Sequence, residues 1–395
     1  MRALPAAPDA PAPLWTGRFV RVTTANFFFF LNFASFFLLP LHVRALGGGE
    51  RTIGFVMGTS GISGLASVFV VGALLDRFGR RVFLRGGLLG MAAASAGFLF
   101  VHAIGPAFFA LRAMQGIAFA AGFNASSTLA VEFAPAPRRA EALGFFGVST
   151  LTTHALAPSL GELLVRTAGF TALFVVAASF SLVGLAIAWT VPEGRRVAVR
   201  AGGRRRLRAT GPLVVAIATV ALSGVAFGTV LTYVPTFVHD AGLGAVSTFF
   251  LAYTTTATLS RVFGGGMGDR RGHRRVAIPA LATLSIAIAL LASVHSVPAL
   301  AGAGLLFGAA QGMSYPALNA YTVGLVDPDR LGRVQSLYNG TFNLGVTGGS
   351  MALGHVAETA GHRAVFLCAS AAAAAAAVVF SAGSARTRRS GSARR

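Results

Sequence analysis

What this chain has little of narrows its function before any motif is read. It has no lysine, so all 33 basic residues are arginine, and only 12 acids stand against them. Just 11% of its 395 residues are charged and 54% are hydrophobic, with a mean hydropathy of +0.70. Soluble domains carry about 25% charged residues. A single cysteine, Cys368, excludes an internal disulfide and a thiolate metal cage. The phosphate-cradling pattern GxxxxGKS/T is missing, so ATP is not the energy source, and HExxH and nucleophile-elbow patterns are missing too. These absences point away from an enzyme, and no metal or cofactor is expected. A net charge of +21 suggests nucleic acid, but no basic stripe interleaves with stacking aromatics. The arginines sit in short gaps between apolar runs, which excludes a nucleic-acid partner.

What is present is apolar length. A helix needs about 20 apolar residues to cross a bilayer, and twelve runs qualify: 19–43, 53–75, 82–102, 106–133, 141–165, 170–191, 212–238, 246–268, 276–297, 299–325, 334–358 and 362–384. They are numbered spans 1 to 12. Lipid requires every backbone polar group to be satisfied within a helix or a closed barrel, and these runs are about twice a barrel strand. The expected class is an all-α membrane protein. With the N-terminus in the cytoplasm, 27 arginines fall in cytoplasmic tails and loops and four outside (Arg44, Arg51, Arg166 and Arg363). That satisfies the positive-inside rule and puts both termini inside. Trp15 and Trp189 then fall at the cytoplasmic interface, where aromatic belts belong.

Two stretches break the apolar pattern in the same way. "GALLDRFGRR", Gly72 to Arg81, has a looser copy in "GGGMGDRRGHRR", Gly264 to Arg275. Asp76 and Asp269 are 193 residues apart, as are Gly79 and Gly272, Gly147 and Gly340, and Gly161 and Gly354. That offset is six spans with their loops, so the chain reads as two six-helix halves in parallel, 18–191 and 212–385. A basic linker, 192–211, joins them, with seven arginines and four glycines between Pro192 and Pro212. Residues 1–17 read as a disordered cytoplasmic tail and 386–395 as a basic one.

The motifs carry a resemblance. The chain resembles the major facilitator superfamily over residues 18 to 385. Gly72, Asp76, Arg77, Gly79, Arg80 and Arg81 match the signature between spans 2 and 3. "RAMQGIAFAA" in span 4 matches the pattern of proton-coupled members at Arg112, Gln115 and Gly116. Span 5 resembles the antiporter motif at Gly144, Pro158 and Gly161, with Thr153 and Ala157 where glycines are expected. The resemblance implies twelve helices in two pseudo-symmetric bundles about a central site, working by alternating access as a monomer in a bacterial inner membrane. It implies proton-coupled efflux of a small neutral or anionic compound, in the drug and metabolite antiporter branch. A facilitative carrier, an importer or a lipid flippase without proton coupling is the alternative. It also implies a latch: Asp76 touching span 11 in one state, with the loop arginines meeting Glu132. Asp269, Arg270, Gly272 and Arg274 are the corresponding set of the second half. The alternative for these clusters is topology anchoring and binding of membrane lipid headgroups.

Polar residues inside spans are costly and mark solute or ion paths. Arg112 lies about 9 Å into span 4 and Arg261 about 12 Å into span 8, at 1.5 Å per residue. Something must meet Arg112: backbone carbonyls, Gln115, Glu162 of span 5, or an anionic substrate group. No acid lies near the centre of a span; span 1 offers Asn26, Asn32 and Ser35 instead. His154 in span 5 is therefore the candidate proton carrier, its side chain titrating near neutrality, with interhelical hydrogen bonding as the alternative. Asn124, Tyr233, Gln311, Tyr315, Asn319, Asn339 and Asn343 complete the candidate solute path, each also able to glue helices together. The glycines Gly61, Gly64, Gly345, Gly348 and Gly349 suit close helix contacts, and the phenylalanines of Asn26 to Phe37 suit lipid or packing.

Overall fold

The computed structural model describes residues 13–135, 138–194, 209–264, 266–327 and 330–392. Among the described residues there are helices and turns and no strand. Span 1 is Gly17–Ser35, a 3-10 turn Phe36–Leu38, and Leu39–Ala45. Pro40, which has no N–H to give, sits in the first turn of the last segment, where none is needed. Spans 2, 3 and 4 are Glu50–Phe78, Arg80–Gly97 with a 3-10 end at Phe98–Phe100, and Pro106–Phe133. Span 7 is Gly211–Asp240, span 8 Ser247–Gly264 followed by a short helix Met267–Arg271, span 9 His273–Leu291 and span 10 Val297–Val323. The helices Arg139–Thr190 and Leu331–Ser392 each hold two spans, broken at Gly169 (φ 75°) and Gly361 (φ 77°). Positive φ is costly for any residue with a Cβ, so these glycines make the reversals between spans 5 and 6 and between 11 and 12.

The repeat reappears as geometry. Gly79 (φ 94°) and Gly272 (φ 89°) both take the left-handed region and both precede the next helix, opening spans 3 and 9. The Asp-Arg-x-Gly core is therefore a helix-turn-helix unit built twice. Packing follows the same division: span 1 lies on 5 and 6, span 2 on 4, and 3 on 4, while span 7 lies on 11 and 12, span 8 on 10, and 9 on 10. Twelve spans in two bundles result, so the start of span 1 and the end of span 12 lie on one face of the molecule, called here the termini face.

Several expectations change in detail. Of the 1–17 tail, residues 1–12 lie outside the described residues, whereas Leu14 is fully buried and the Thr16 hydroxyl accepts from the Phe19 N–H at 3.3 Å. Of the linker, 195–208 lie outside the described residues, and of the 386–395 tail, residues up to Ser392 continue the last helix. The phenylalanines of span 1 pack rather than face lipid: Phe29, Phe30, Phe36 and Phe37 are buried in the core. Asn26 and Asn32 are glue. Asn26 donates to Thr150 Oγ1 (3.1 Å) and accepts from Ser126 (2.9 Å); Asn32 donates to Ser95 Oγ (2.8 Å) and the Ala177 carbonyl (2.6 Å).

Close backbone approach depends on glycine at a few positions. A Cβ on Gly116 would stand 2.0 Å from the Ser60 carbonyl oxygen and 2.1 Å from Ser63 Oγ, whereas at Gly302 it would meet nothing within 4 Å. Gly116→Val is expected to destabilise the protein by about 1–3 kcal/mol through overpacking, and Gly302→Val to leave it unchanged. Thermal unfolding in detergent micelles checks the pair.

Candidate functional site

The two halves meet along spans 2 and 11 and spans 5 and 8. On the face opposite the termini the seam is tied by charge. Glu50, at the start of span 2, is 4% exposed. Its Oε1 lies 3.2 Å from Arg44 at the end of span 1 and 3.2 Å from His362 Nε2 at the start of span 12. Thr236 of span 7 stands 3.0 Å from His362 Nε2 and donates to Glu50 Oε2 at 3.4 Å. Arg44 also pairs with Asp240 at the end of span 7. Beside this cluster the Glu162 carboxylate accepts the Val246 and Ser247 N–H groups at 3.1 and 3.0 Å, at the start of span 8. Glu162 is a tie between span 5 and span 8, with Arg166 at 3.1 Å; it does not reach Arg112.

Below the charges the contact is steric. Built Cβ atoms on Gly54, Gly58 and Gly61 of span 2 would strike Ser350, Met351 and Thr347 of span 11, at 2.4, 2.2 and 1.9 Å. Tyr233 donates to the Ser350 carbonyl and Thr232 bonds Ser350 Oγ at 2.8 Å, so Tyr233 belongs to this closed region. Further toward the termini the register stops making contact: Gly64 turns to Gly116, and neither Gly72 nor Gly340 has a neighbour within 4 Å of a Cβ. Continued, the antiparallel register puts Gly72 opposite Ser336. Spans 2 and 11 therefore form a V, shut on one face and open on the face that bears the termini. Gly345 and Gly349 serve a contact within the second half, against the Ala221 and Val225 carbonyls at 2.2 and 2.6 Å, and Gly348 meets nothing.

Beneath the Glu162 tie, Phe37 stacks on Phe250 (5.4 Å between centroids), and His154 lies edge-on to Phe37 (5.0 Å) and near Tyr253 (6.3 Å). Neither ring nitrogen of His154 has a hydrogen-bond partner. Tyr315 donates to Asn339 at 3.0 Å, Tyr338 to the Tyr315 carbonyl at 2.7 Å, and Asn343 to the Asn339 carbonyl at 3.0 Å. Gln311 is buried with Oε1 unpaired, and Asn319 is half-buried on span 10. Asn124 donates to its own helix at Ala120, 2.7 Å away. The path residues thus separate: Tyr315, Asn339 and Asn343 come together, and Asn124 stands apart.

Arg112 is fully met inside its own half. It donates to Gln115 Oε1 at 2.6 Å, Ser60 Oγ at 2.7 Å and the Val56 carbonyl at 3.2 Å. It joins span 4 to span 2. Arg261, by contrast, extends toward Gly147 of the other half, with Nη1 4.0 Å from a Cβ placed there.

On the termini face, Arg80 lies 3.1 Å from Glu132, and the Glu193 carboxylate accepts the Arg80 N–H (2.8 Å) and the Arg81 N–H (3.4 Å), capping span 3. A carboxylate there satisfies orphan N–H groups and the positive helix end. Arg77 lies beside Phe78, Asp269 is exposed with His273 3.5 Å away, Arg270 is exposed in the short helix, and Arg274 donates to the Ser381 carbonyl at 3.0 Å. The Asp76 side chain lies outside the described residues. Sequence reading missed Glu50, Asp240, His362 and Glu193. The available signal was a set of ionisable residues, Arg44, Glu50, Asp240 and His362, at four span ends on one face, with Glu193 at a span end on the other, in a chain with only 12 acids.

Arg112→Ala is expected to lower stability by about 1–3 kcal/mol, the cost of leaving the buried Gln115 and Val56 acceptors unpaired. Arg112→Lys should recover part of it, lacking the planar fork, and Glu162→Gln should rescue nothing. Thermal unfolding of the three variants and the Arg112→Ala/Glu162→Gln double variant decides; rescue by Glu162→Gln would contradict the assignment.

Against known proteins, the family model of the Major Facilitator Superfamily matches residues 22–263 and 244–394. The Multidrug resistance protein MdtG of Dickeya zeae is 28% identical over 368 residues, 89% of this chain and 89% of that protein. Among solved structures, the nucleoside transporter NupG superposes with a TM-score of 0.78 at 14% identity, over 93% of this chain and 100% of that one. The human organic anion transporter MFSD10 superposes with a TM-score of 0.68 at 18% identity, over 92% and 98%. Family model, paired bundles and repeated helix-turn-helix agree, and the chain belongs to the major facilitator superfamily, whose members are transporters and not enzymes.

Proposed function

We propose that the chain is a secondary transporter that exports a small organic solute by alternating access, held here in its inward-open state. The observation that carries this reading is the V of spans 2 and 11: glycine-to-side-chain contact from Gly54 to Gly61, and open space at Gly72 and Gly340. Two rigid halves that share one seam expose the centre to one face at a time. The arginine ratio of 27 to 4 supports a cytoplasmic location for the open, termini face. Closing that face would bring Gly72 and Asp76 against the start of span 11, while Arg44, Glu50, Asp240 and His362 separate. The MdtG name, a multidrug resistance protein, supports export as the direction. His154 is the proton carrier in this reading, since it sits at the seam with both nitrogens unpartnered. Facilitated exchange is the second reading, favoured by the use of Glu162 as a helix tie rather than a proton site.

Cross-linking tests the cycle. In a Cys368→Ser background, Gly61→Cys and Thr347→Cys face each other, with the two Cβ positions 3.0 Å apart, near disulfide range. Oxidation is expected to arrest uptake into inverted vesicles, and reductant to restore it. Uptake that continues in fully cross-linked protein would sink alternating access at this seam. Running the reduced protein with and without an imposed pH gradient separates proton coupling from exchange.

A further inference from the structure

The two arginines inside the spans have opposite surroundings. Arg112 has three oxygen acceptors and the Met57 sulfur within its own half. Arg261 has none among the described residues, and its Nε is buried without a partner. Its direction is as informative as its solitude. An arginine in the last turn of span 8 has the length to snorkel to headgroup phosphates. Instead, its Nη1 is the nearest heavy atom, at 4.0 Å, to a Cβ placed on Gly147 of span 5. The guanidinium therefore crosses the seam into the cleft between the halves. Among the described residues neither a hydrogen-bond acceptor nor a carboxylate meets it. The seam thus presents a fixed cation from span 8 and, in the same half, a phenol hydrogen-bonded to an amide at Tyr315 and Asn339.

The Nε of Arg261 is buried without a partner, and a guanidinium is matched best by a planar two-oxygen anion held through parallel N–H donors. We propose that Arg261 anchors the anionic group of the transported solute, so that the substrate class is the small organic anion, carboxylate or phosphate ester. This rests on the transport reading above and adds the substrate's charge to it. Glycine at 147 leaves the room that the anion takes, facing Arg261 from the other half. An anion so placed touches both bundles, which is what a ligand must do to influence their relative position.

The test separates the anion site from the transport cycle by working at equilibrium, in nanodiscs of phosphatidylcholine alone so that no anionic headgroup competes. The first probe pair is 1-naphthoate and its neutral isostere 1-naphthamide, followed by thermal shift and calorimetric titration. Naphthoate is expected to bind and stabilise the protein and naphthamide not to. Arg261→Gln is expected to weaken naphthoate about tenfold or more, with Arg261→Lys between, because it keeps charge but not the fork. A second pair needs no added ligand. Gly147→Asp places a carboxylate opposite the guanidinium and should melt higher than Gly147→Asn, an advantage that vanishes when Arg261→Gln is added. Gly147→Asp should also exclude naphthoate. Equal melting of the Asp and Asn variants overturns the proposal. So does naphthoate affinity that is undetectable in the native protein or unchanged by Arg261→Gln. Cross-linked protein that still transports would instead overturn the cycle, leaving the anion site standing on these measurements.

Discussion

The rest of this structure depends on the close approach of span 2 to span 11. Without side chains at Gly54, Gly58 and Gly61, Ser350, Met351 and Thr347 reach the helix backbone of the other half. In a bilayer, lipid tails are as apolar as leucine, so helices associate through such contact and through polar ties rather than by escaping water. The ties are concentrated at one end: Arg44 with Glu50 and Asp240, His362 with Glu50, and Glu162 on the first N–H groups of span 8. Packing in the middle and charge at one end leave the other end free to part. A molecule joined in this way has a pivot.

Arginine does several different jobs here. Arg85 donates to the Ala188 and Trp189 carbonyls and stacks 3.9 Å over the Trp189 ring, and Arg21 donates to Thr190, so the end of span 6 is capped by cations where its dipole favours them. Arg80 pairs with Glu132 at the start of span 3. Arg112 stitches span 4 to span 2. Each is a local solution to an unpaired backbone or carboxylate oxygen. Of the two arginines inside the spans, Arg261 differs from Arg112 in having its Nε buried without a partner, and the proposed anion site rests on that difference.

Much of the fold was legible in the sequence. Twelve apolar runs gave twelve spans, because the bilayer allows few other solutions, and the 193-residue offset picked out Gly79 and Gly272 as equivalent turns. The breaks at Gly169 and Gly361 fell between the expected runs. The site was less legible. Arg112 in a recognisable motif drew attention that its three neighbours do not support as a solute contact, because sequence spacing does not say which way a long side chain turns. Glu50 and His362 were invisible for a different reason. Glu50 falls in a gap between the expected runs and His362 at the first residue of one, and only the meeting of the two halves buries them together. Long-range pairs of this kind leave no mark on local periodicity.

The central claim is that the two ends of the seam open reciprocally. Pulsed spin-label distances measure this directly in a Cys368→Ser background, with one pair at Ala45→Cys and Ala241→Cys beside the charged ties and another at Gly72→Cys and Leu337→Cys on the termini face. The account predicts a short distance at the first pair and a long one at the second. Removing the ties with Arg44→Ala and Glu50→Gln should lengthen the first and shorten the second in the same sample. Distances that lengthen together, or that ignore the loss of the ties, would contradict it.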